Sequence, residues 1–371
     1  MSEADATVTD GRLDPLSDLT GRQLIGLLVL GAAALLGVAG LAFPGTIAGT
    51  LLRIVASENT LASALRLSVP IALAALGGIF AEKSGVINIG LEGLLIIAAF
   101  TAIYVTDVTG GVVTGFAAGV LASTLLAGLF AVVCIRYKAD QIIAGLAVWL
   151  IALGLAPFAS QVVYGRPNTP SVSTPPALAD VLADLTGLAG LPETLGAIPY
   201  VGVVFEASLT VHLMFLMVVT AWYLLDRTAF GRHVRASGEN PRALDTVGVN
   251  VSRVRYAAVL LSGVLAGMGG AALSMDLGQF TGNGPTMVNG KGFIAIVAYL
   301  FGNYNPIGAF LSTLLFAGLD AIQVNLQVVD VGVPNSLVRI IPFVTVILVL
   351  ALVGRTRIPE AAGEHYESGE E

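Results

Sequence analysis

The side chains in this sequence with the strongest intrinsic chemistry are few and far apart. Cys134 is the sole cysteine, and the three histidines are His212, His233 and His365. Neither an intrachain disulfide nor a Cys/His metal site can be assembled from them. A phosphate-binding loop needs a glycine-rich turn ending in Gly-Lys-Ser/Thr. The nearest match runs from Pro285 to Gly292, with proline where the first glycine belongs and glycine where the hydroxyl belongs. No nucleophile elbow or zinc-binding helix motif is present. The chain is therefore expected to bind no cofactor, and any energy taken from ATP-Mg has to come through another chain.

What remains are isolated polar groups inside apolar runs, where an acid is expensive and faces a bundle interior or a watery path. Asn88 and Glu92 are four apart and share one face of a helix over 86–106. Two uses fit that face: lining a gate, or tying neighbouring helices together with Gly90 and Gly93 allowing close approach. Asp320, Gln323 and Asn325 form a second group, with Arg66 or Arg339 as the expected ion-pair partner of Asp320. Phe293, Tyr299 and Phe301, with Trp149 and Phe280, offer flat faces for stacking or for plain packing. The candidate path residues are Asn88, Glu92, Phe293, Asp320 and Gln323, whereas His212 reads as a hydrogen-bonded bundle residue. Glycines repeating every four residues (Gly111, Gly115, Gly119; Gly263, Gly267) permit tight helix contact.

Long helices have to position these groups. The 371 residues are 56% hydrophobic and 12% charged, against about 25% charged in a soluble domain, and the mean hydropathy is +0.86. That balance excludes an ordinary soluble enzyme. Crossing a bilayer takes about 20 mostly apolar residues, and the charge-poor runs predict an all-α, polytopic membrane helix bundle of about ten transmembrane helices. They fall at 23–43, 60–80, 86–106, 111–135, 141–161, 206–226, 255–276, 290–302, 305–326 and 336–353. The eighth is too short to span as a straight helix and is expected to be broken or re-entrant, lodged against protein or a polar cavity. A β-barrel would show alternating segments of about ten residues, which these runs lack. Threading the chain with its N-terminus inside puts thirteen of the eighteen basic residues on the inner side, so both termini are expected to be cytoplasmic. The domain plan is an acidic tail (1–22), a transmembrane domain (23–354) and a second acidic tail (355–371). Composition alone predicts that the tails are solvated. An external loop (162–205) holds six of the sixteen prolines and is expected to have limited regular structure.

The inner loop at 227–254 carries the most local information. Asn240 suits an N-cap, Pro241 the first helical position and Gly248 a left-handed C-terminal residue, which together predict a short self-terminated helix. Ala243, Leu244 and Val247 give it an apolar stripe, while Arg242 and Asp245 stay available to water. A stripe of this kind outside the bilayer fits a groove on another protein; contact with anionic lipid is the plainer alternative.

Gly-Arg-His-Val-Arg-Ala-Ser-Gly-Glu-Asn-Pro at 231–241 and Leu-Ser-Gly-Val-Leu-Ala-Gly-Met-Gly-Gly-Ala at 261–271 resemble the coupling segment and following helix of ABC importer permeases of the ribose and branched-chain amino-acid class. Ser-Gly-Val-Ile-Asn-Ile-Gly-Leu-Glu-Gly at 84–93 is similar to the nucleoside and simple-sugar branch, and the likeness runs from about 58 to 353. The resemblance implies a permease subunit in the cell membrane that forms the path for nucleosides or related simple sugars. Glu239, Asn240, Pro241, Arg242, Ala243, Leu244, Asp245, Val247 and Gly248 would then couple it to a separate ABC ATPase. It further implies a second permease, usually a different chain, and an extracytoplasmic substrate-binding protein. The lipid bilayer is its other partner and nucleic acid is not expected. A self-sufficient proton- or sodium-coupled carrier using Glu92 or Asp320, and a membrane scaffold without transport, are the rival expectations.

Overall fold

The computed structural model describes residues 35, 37–188, 190–328 and 357–367. The first predicted span, apart from its last residues, and the tenth, with Arg339, lie outside these. Among the described residues the secondary structure is helical, with two isolated β-bridges and no named strand. Seven helices are long and apolar enough to cross a membrane: α2 (Glu58–Lys83), α3 (Leu91–Thr109), α4 (Val112–Ala131, extended by a π-helical turn to Arg136), α5 (Gln141–Tyr164), α9 (Leu209–Arg227), α12 (Val251–Leu277) and α14 (Pro306–Val328). A short α1 (Ile47–Val55) precedes them and packs Ile54 against Leu326 of α14.

Burial sorts the long helices into an inner and an outer set. Alpha2, α12 and α3 carry the bulk of the buried side chains, and small residues let them approach. Gly77 lies on Ser262, Gly119 on the Ala98 carbonyl, and Gly263 and Gly267 on the backbone of α4. Ser123 donates to the Gly263 carbonyl across the same contact, at 2.8 Å. The predicted glycine contacts are therefore present, except that Gly111 is the N-cap of α4 and stands outside the helix. The outer helices turn Leu121, Leu125 and Leu129 (α4) and Leu216 and Val219 (α9) outward, as apolar faces toward lipid or a partner helix require.

Three features depart from expectation. Residues 84–90 are not helical, so α3 begins only at Leu91. Residues 162–205 are not irregular throughout: they hold α6 (Leu178–Thr186), α7 (Leu191–Gly196) and α8 (Val201–Glu206). Gly187 ends α6 in a left-handed conformation and Pro192 sits in the first turn of α7, where its missing N–H costs nothing. Finally, residues 357–367 of the acidic tail lie against the bundle instead of in solvent. The Ala361 and Gly363 amides donate to the Gly238 and Gly85 carbonyls at 2.8 and 3.0 Å. Arg255 donates to the Glu364 carbonyl at 2.7 Å, and Lys138 pairs with Glu367.

These contacts define two faces. Lys83, Lys138, the arginine-rich loop, Asn303 and 357–367 share one, called here the basic face. Glu58, Arg66, 174–175, 203–208, Asp276 and Asn325 share the other.

Candidate functional site

Inside the bundle, two helices begin side by side. The segment 84–90 runs back into the protein from the end of α2. Its Asn88 donates to Ser262 Oγ at 3.1 Å and accepts from the Gly90 amide at 3.1 Å. Ser262 lies about 16 Å along α12 from its start on the basic face, at 1.5 Å per residue, so α3 starts deep in the bundle. Alpha13 (Lys291–Phe301) starts beside it: Gly292 presses on the backbone of Glu92, leaving no room for a Cβ. The Glu92 carboxylate accepts from the Gly290 and Gly292 amides at 2.7 and 2.6 Å, which satisfies two of the unpaired N–H groups at the start of α13. Glu92 also occupies the first turn of α3, so one buried carboxylate serves two helix N-termini.

Alpha13 then runs toward the basic face, where Glu82 near the end of α2 receives both Tyr299 (2.5 Å) and Tyr304 (2.7 Å) hydroxyls. Gly78 gives Tyr299 its space. The eleven-residue α13 is thus pinned by a carboxylate at each end, in agreement with the expectation of a short segment lodged against protein. Asn88 precedes α3 and does not share a helical face with Glu92, because Gly85 at φ +96° turns the chain out of α2 and a second turn at 89–90 delays the next helix to Leu91. Phe293 packs edge-on to Trp149, with centroids 5.3 Å apart. Asp320 faces the charge of Lys291 on α13, not Arg66, which lines a cavity on the opposite face. Gln323 is half-buried on α14, and Asn325 donates to Thr60 Oγ1 at 2.9 Å. The structure joins Glu92, Phe293 and Asp320 around α13 and leaves Gln323 apart. Sequence reasoning missed Glu82, a charge at the end of an apolar run that reads as a span boundary.

On the basic face, α10 (Ala229–Glu239) and α11 (Pro241–Thr246) form the arginine-rich loop. The Asn240 side chain accepts from the Ala243 amide at 3.0 Å, Pro241 opens α11 and Gly248 follows with φ +82°. All three capping assignments hold. The apolar stripe, however, is divided. Leu244 is 4% exposed and belongs to the core, while Val247 is 73% exposed, and Arg242 and Ala243 are exposed beside it. Leu244 roots the helix in its own chain because α11, at six residues, is too short to stand away from the bundle. Gly238 contacts the Lys83 carbonyl, Ser237 donates to the Ser84 carbonyl at 2.8 Å, and Tyr366 donates to Asp245 at 2.9 Å. Alpha11 is thereby tied to the turn from which 84–90 departs.

A cavity of about 550 Å³ opens on the opposite face between α2, α9, α12 and α14.

Membrane-length helices, paired helix starts inside the bundle, a polar cavity on one face and an anchored, capped helix on the other define a transport protein rather than an enzyme. The chain belongs to the family of branched-chain amino acid transport system permease components, whose model matches residues 60–350. It is 36% identical over 319 residues to the nucleoside ABC transporter permease protein NupC of Lactococcus lactis, covering 82% of this chain and 95% of that one. The guanosine ABC transporter permease protein NupQ of Bacillus subtilis is 34% identical, covering 81% and 94%. The putative glucose ABC transporter permease protein TsgC13 of Haloferax volcanii is 33% identical, covering 71% and 77%. No solved structure matches the chain.

Proposed function

We propose that this chain forms the membrane path of an ATP-driven importer for nucleosides or related simple sugars. The substrate class rests on the printed names of its relatives. The basic face is cytoplasmic in this reading, which the distribution of Lys and Arg supports. Both termini lie on that side, and ten helices complete the bundle. Alpha14 ends on the outer face and Arg357 lies on the inner one, which supports one more crossing between them. A separate ABC ATPase holds ATP-Mg, a second permease of different sequence completes the path, and an extracytoplasmic binding protein delivers the solute.

The observation that carries the coupling role is α11 itself. It is capped at Asn240 and rooted by Leu244, yet it presents Arg242, Ala243 and Val247 to the outside. Glu239 and Asn240 lead into it, and Asp245 and Gly248 close it. A push on the exposed side passes through Gly238 and Ser237 to the 84–85 turn and from there to the joined starts of α3 and α13, a rigid-body route of the kind that moves gates. The test is Val247→Asp in the complete transporter reconstituted in vesicles. A charge placed in a desolvated apolar contact costs a few kcal/mol, so ATPase co-purification and uptake fall together while the permease stays folded. Undiminished ATPase binding and uptake would remove the coupling role.

A further inference from the structure

The cavity on the opposite face has a composition that selects among solutes. Its floor and walls combine one cation, Arg66, with three carboxylates, Glu58, Glu206 and Asp276, and with the amides of Asn59 and Asn325. Its volume of about 550 Å³ lies within the range of small-molecule sites. Three negative charges against one positive charge oppose phosphorylated and carboxylated solutes. The amides and the carboxylates supply acceptors for hydroxyl and amine donors instead.

Asp276 is the most constrained of these groups. Thr210 donates to its Oδ2 at 2.7 Å, with Ser208 in turn within 2.6 Å of Thr210 Oγ1. Its Oδ1 is buried and has no hydrogen-bond partner. A buried carboxylate oxygen without a donor is costly, and the terminal torsion of aspartate is soft, so a small rotation presents Oδ1 to the cavity that the side chain lines. Two adjacent hydroxyls satisfy such a carboxylate best: one donates to Oδ1 and the other to the remaining lone pair of Oδ2. Arg66, across the cavity, donates to a ring or carbonyl oxygen of the same solute.

We infer that this cavity is a binding site for an uncharged solute with a vicinal diol, read by the Asp276 carboxylate and oriented by Arg66. The inference rests on the substrate class proposed above and adds the group recognised, the residues that recognise it and the exclusion of phosphorylated forms.

Two measurements on the complete transporter test it. First, uptake by wild type and Asp276→Asn is compared for guanosine against 2′-deoxyguanosine, whose sugar lacks the vicinal diol, with D-glucose uptake measured alongside. Because the binding protein is the same in both, a change in the ratio belongs to the permease. The expected result is that Asp276→Asn lowers the preference for the hydroxylated member at least threefold. An unchanged ratio overturns the inference. Second, Ala62→Cys places a thiol in the cavity wall, while the native Cys134 is buried at 1% exposure. Without binding protein, millimolar guanosine or glucose should slow labelling of this thiol at least threefold, and guanosine 5′-monophosphate should not. Equal protection by the monophosphate, or none by any compound, overturns the inference even if Asp276→Asn fails to assemble. Absence of uptake of both solutes by wild type defeats the proposed substrate class, whereas uptake with unchanged ratio and labelling defeats only the diol site.

Discussion

Replacing Glu92 by glutamine removes one charge and half of the acceptor capacity at the point where α3 and α13 begin. Both carboxylate oxygens are in use, at 2.7 Å from the Gly290 amide and 2.6 Å from the Gly292 amide. The residue is 2% exposed, so water cannot replace what is lost. Glutamine keeps one carbonyl acceptor and turns an NH2 group toward the second amide. One charge-assisted hydrogen bond is lost, worth about 1.5–3 kcal/mol, and a buried donor is left unsatisfied at about 1–3 kcal/mol. Loss of the favourable interaction with the helix dipole adds up to about 2 kcal/mol. Release from the desolvation of a buried charge offsets part of this, leaving a net loss of about 2–4 kcal/mol. At roughly 2–4 °C per kcal/mol, Tm falls by on the order of 5–10 °C. Cys134 provides the readout, being the sole cysteine and 1% exposed: a thiol-reactive fluorophore reports its exposure as the detergent-solubilised protein is heated. Glu92→Ala should lose at least as much as Glu92→Gln. A Tm for Glu92→Gln within 1 °C of wild type, with uptake abolished, would refute the clamp and make Glu92 a gating group instead.

Glu82→Gln should lower Tm by less than Glu92→Gln, since its two partners are neutral tyrosine hydroxyls and an amide still accepts from one of them. Gly238→Val builds a side chain into the Lys83 carbonyl; it should detach α10 from the bundle and reduce uptake more than it reduces Tm. Deleting residues 358–371 removes the contacts to Gly238, Gly85, Arg255, Asp245 and Lys138. Amide exchange over 240–248 should then rise at least tenfold, and an unchanged exchange rate would show that the tail merely rests on the loop.

The parts of this fold that are local in sequence were legible in it. The Asn240, Pro241 and Gly248 caps need only their neighbours, and the long spans need only apolar residues in sufficient number. The shortness of 290–302 was likewise a matter of counting. What depended on distant partners was not legible. Val86, Ile87 and Ile89 look like helix interior, and distant partners show why the chain stays non-helical there: Asn88 meets Ser262, 174 residues away, and the Ile87 amide donates to Gln141. Glu92 could be read as a gate or a tie, and its partners stand about 200 residues further on. The stripe on α11 was visible, but periodicity does not say which of Leu244 and Val247 meets its own chain. The tail at 357–367 has a disordered composition, yet four of its contacts use backbone groups of 357–367, which composition does not reveal.

The junction of α3 and α13 also bears on what leaks through an idle transporter. Each helix start carries roughly half a positive charge, and the single Glu92 carboxylate between them cancels the two. Lys291, the first residue of α13, stands there with Asp320 facing it, so the groups of the junction sum to no net charge, and an ion shedding its water there loses several kcal/mol. We expect the junction to act as an insulator of zero net charge inside the bundle, keeping ion leakage low while the transporter is idle.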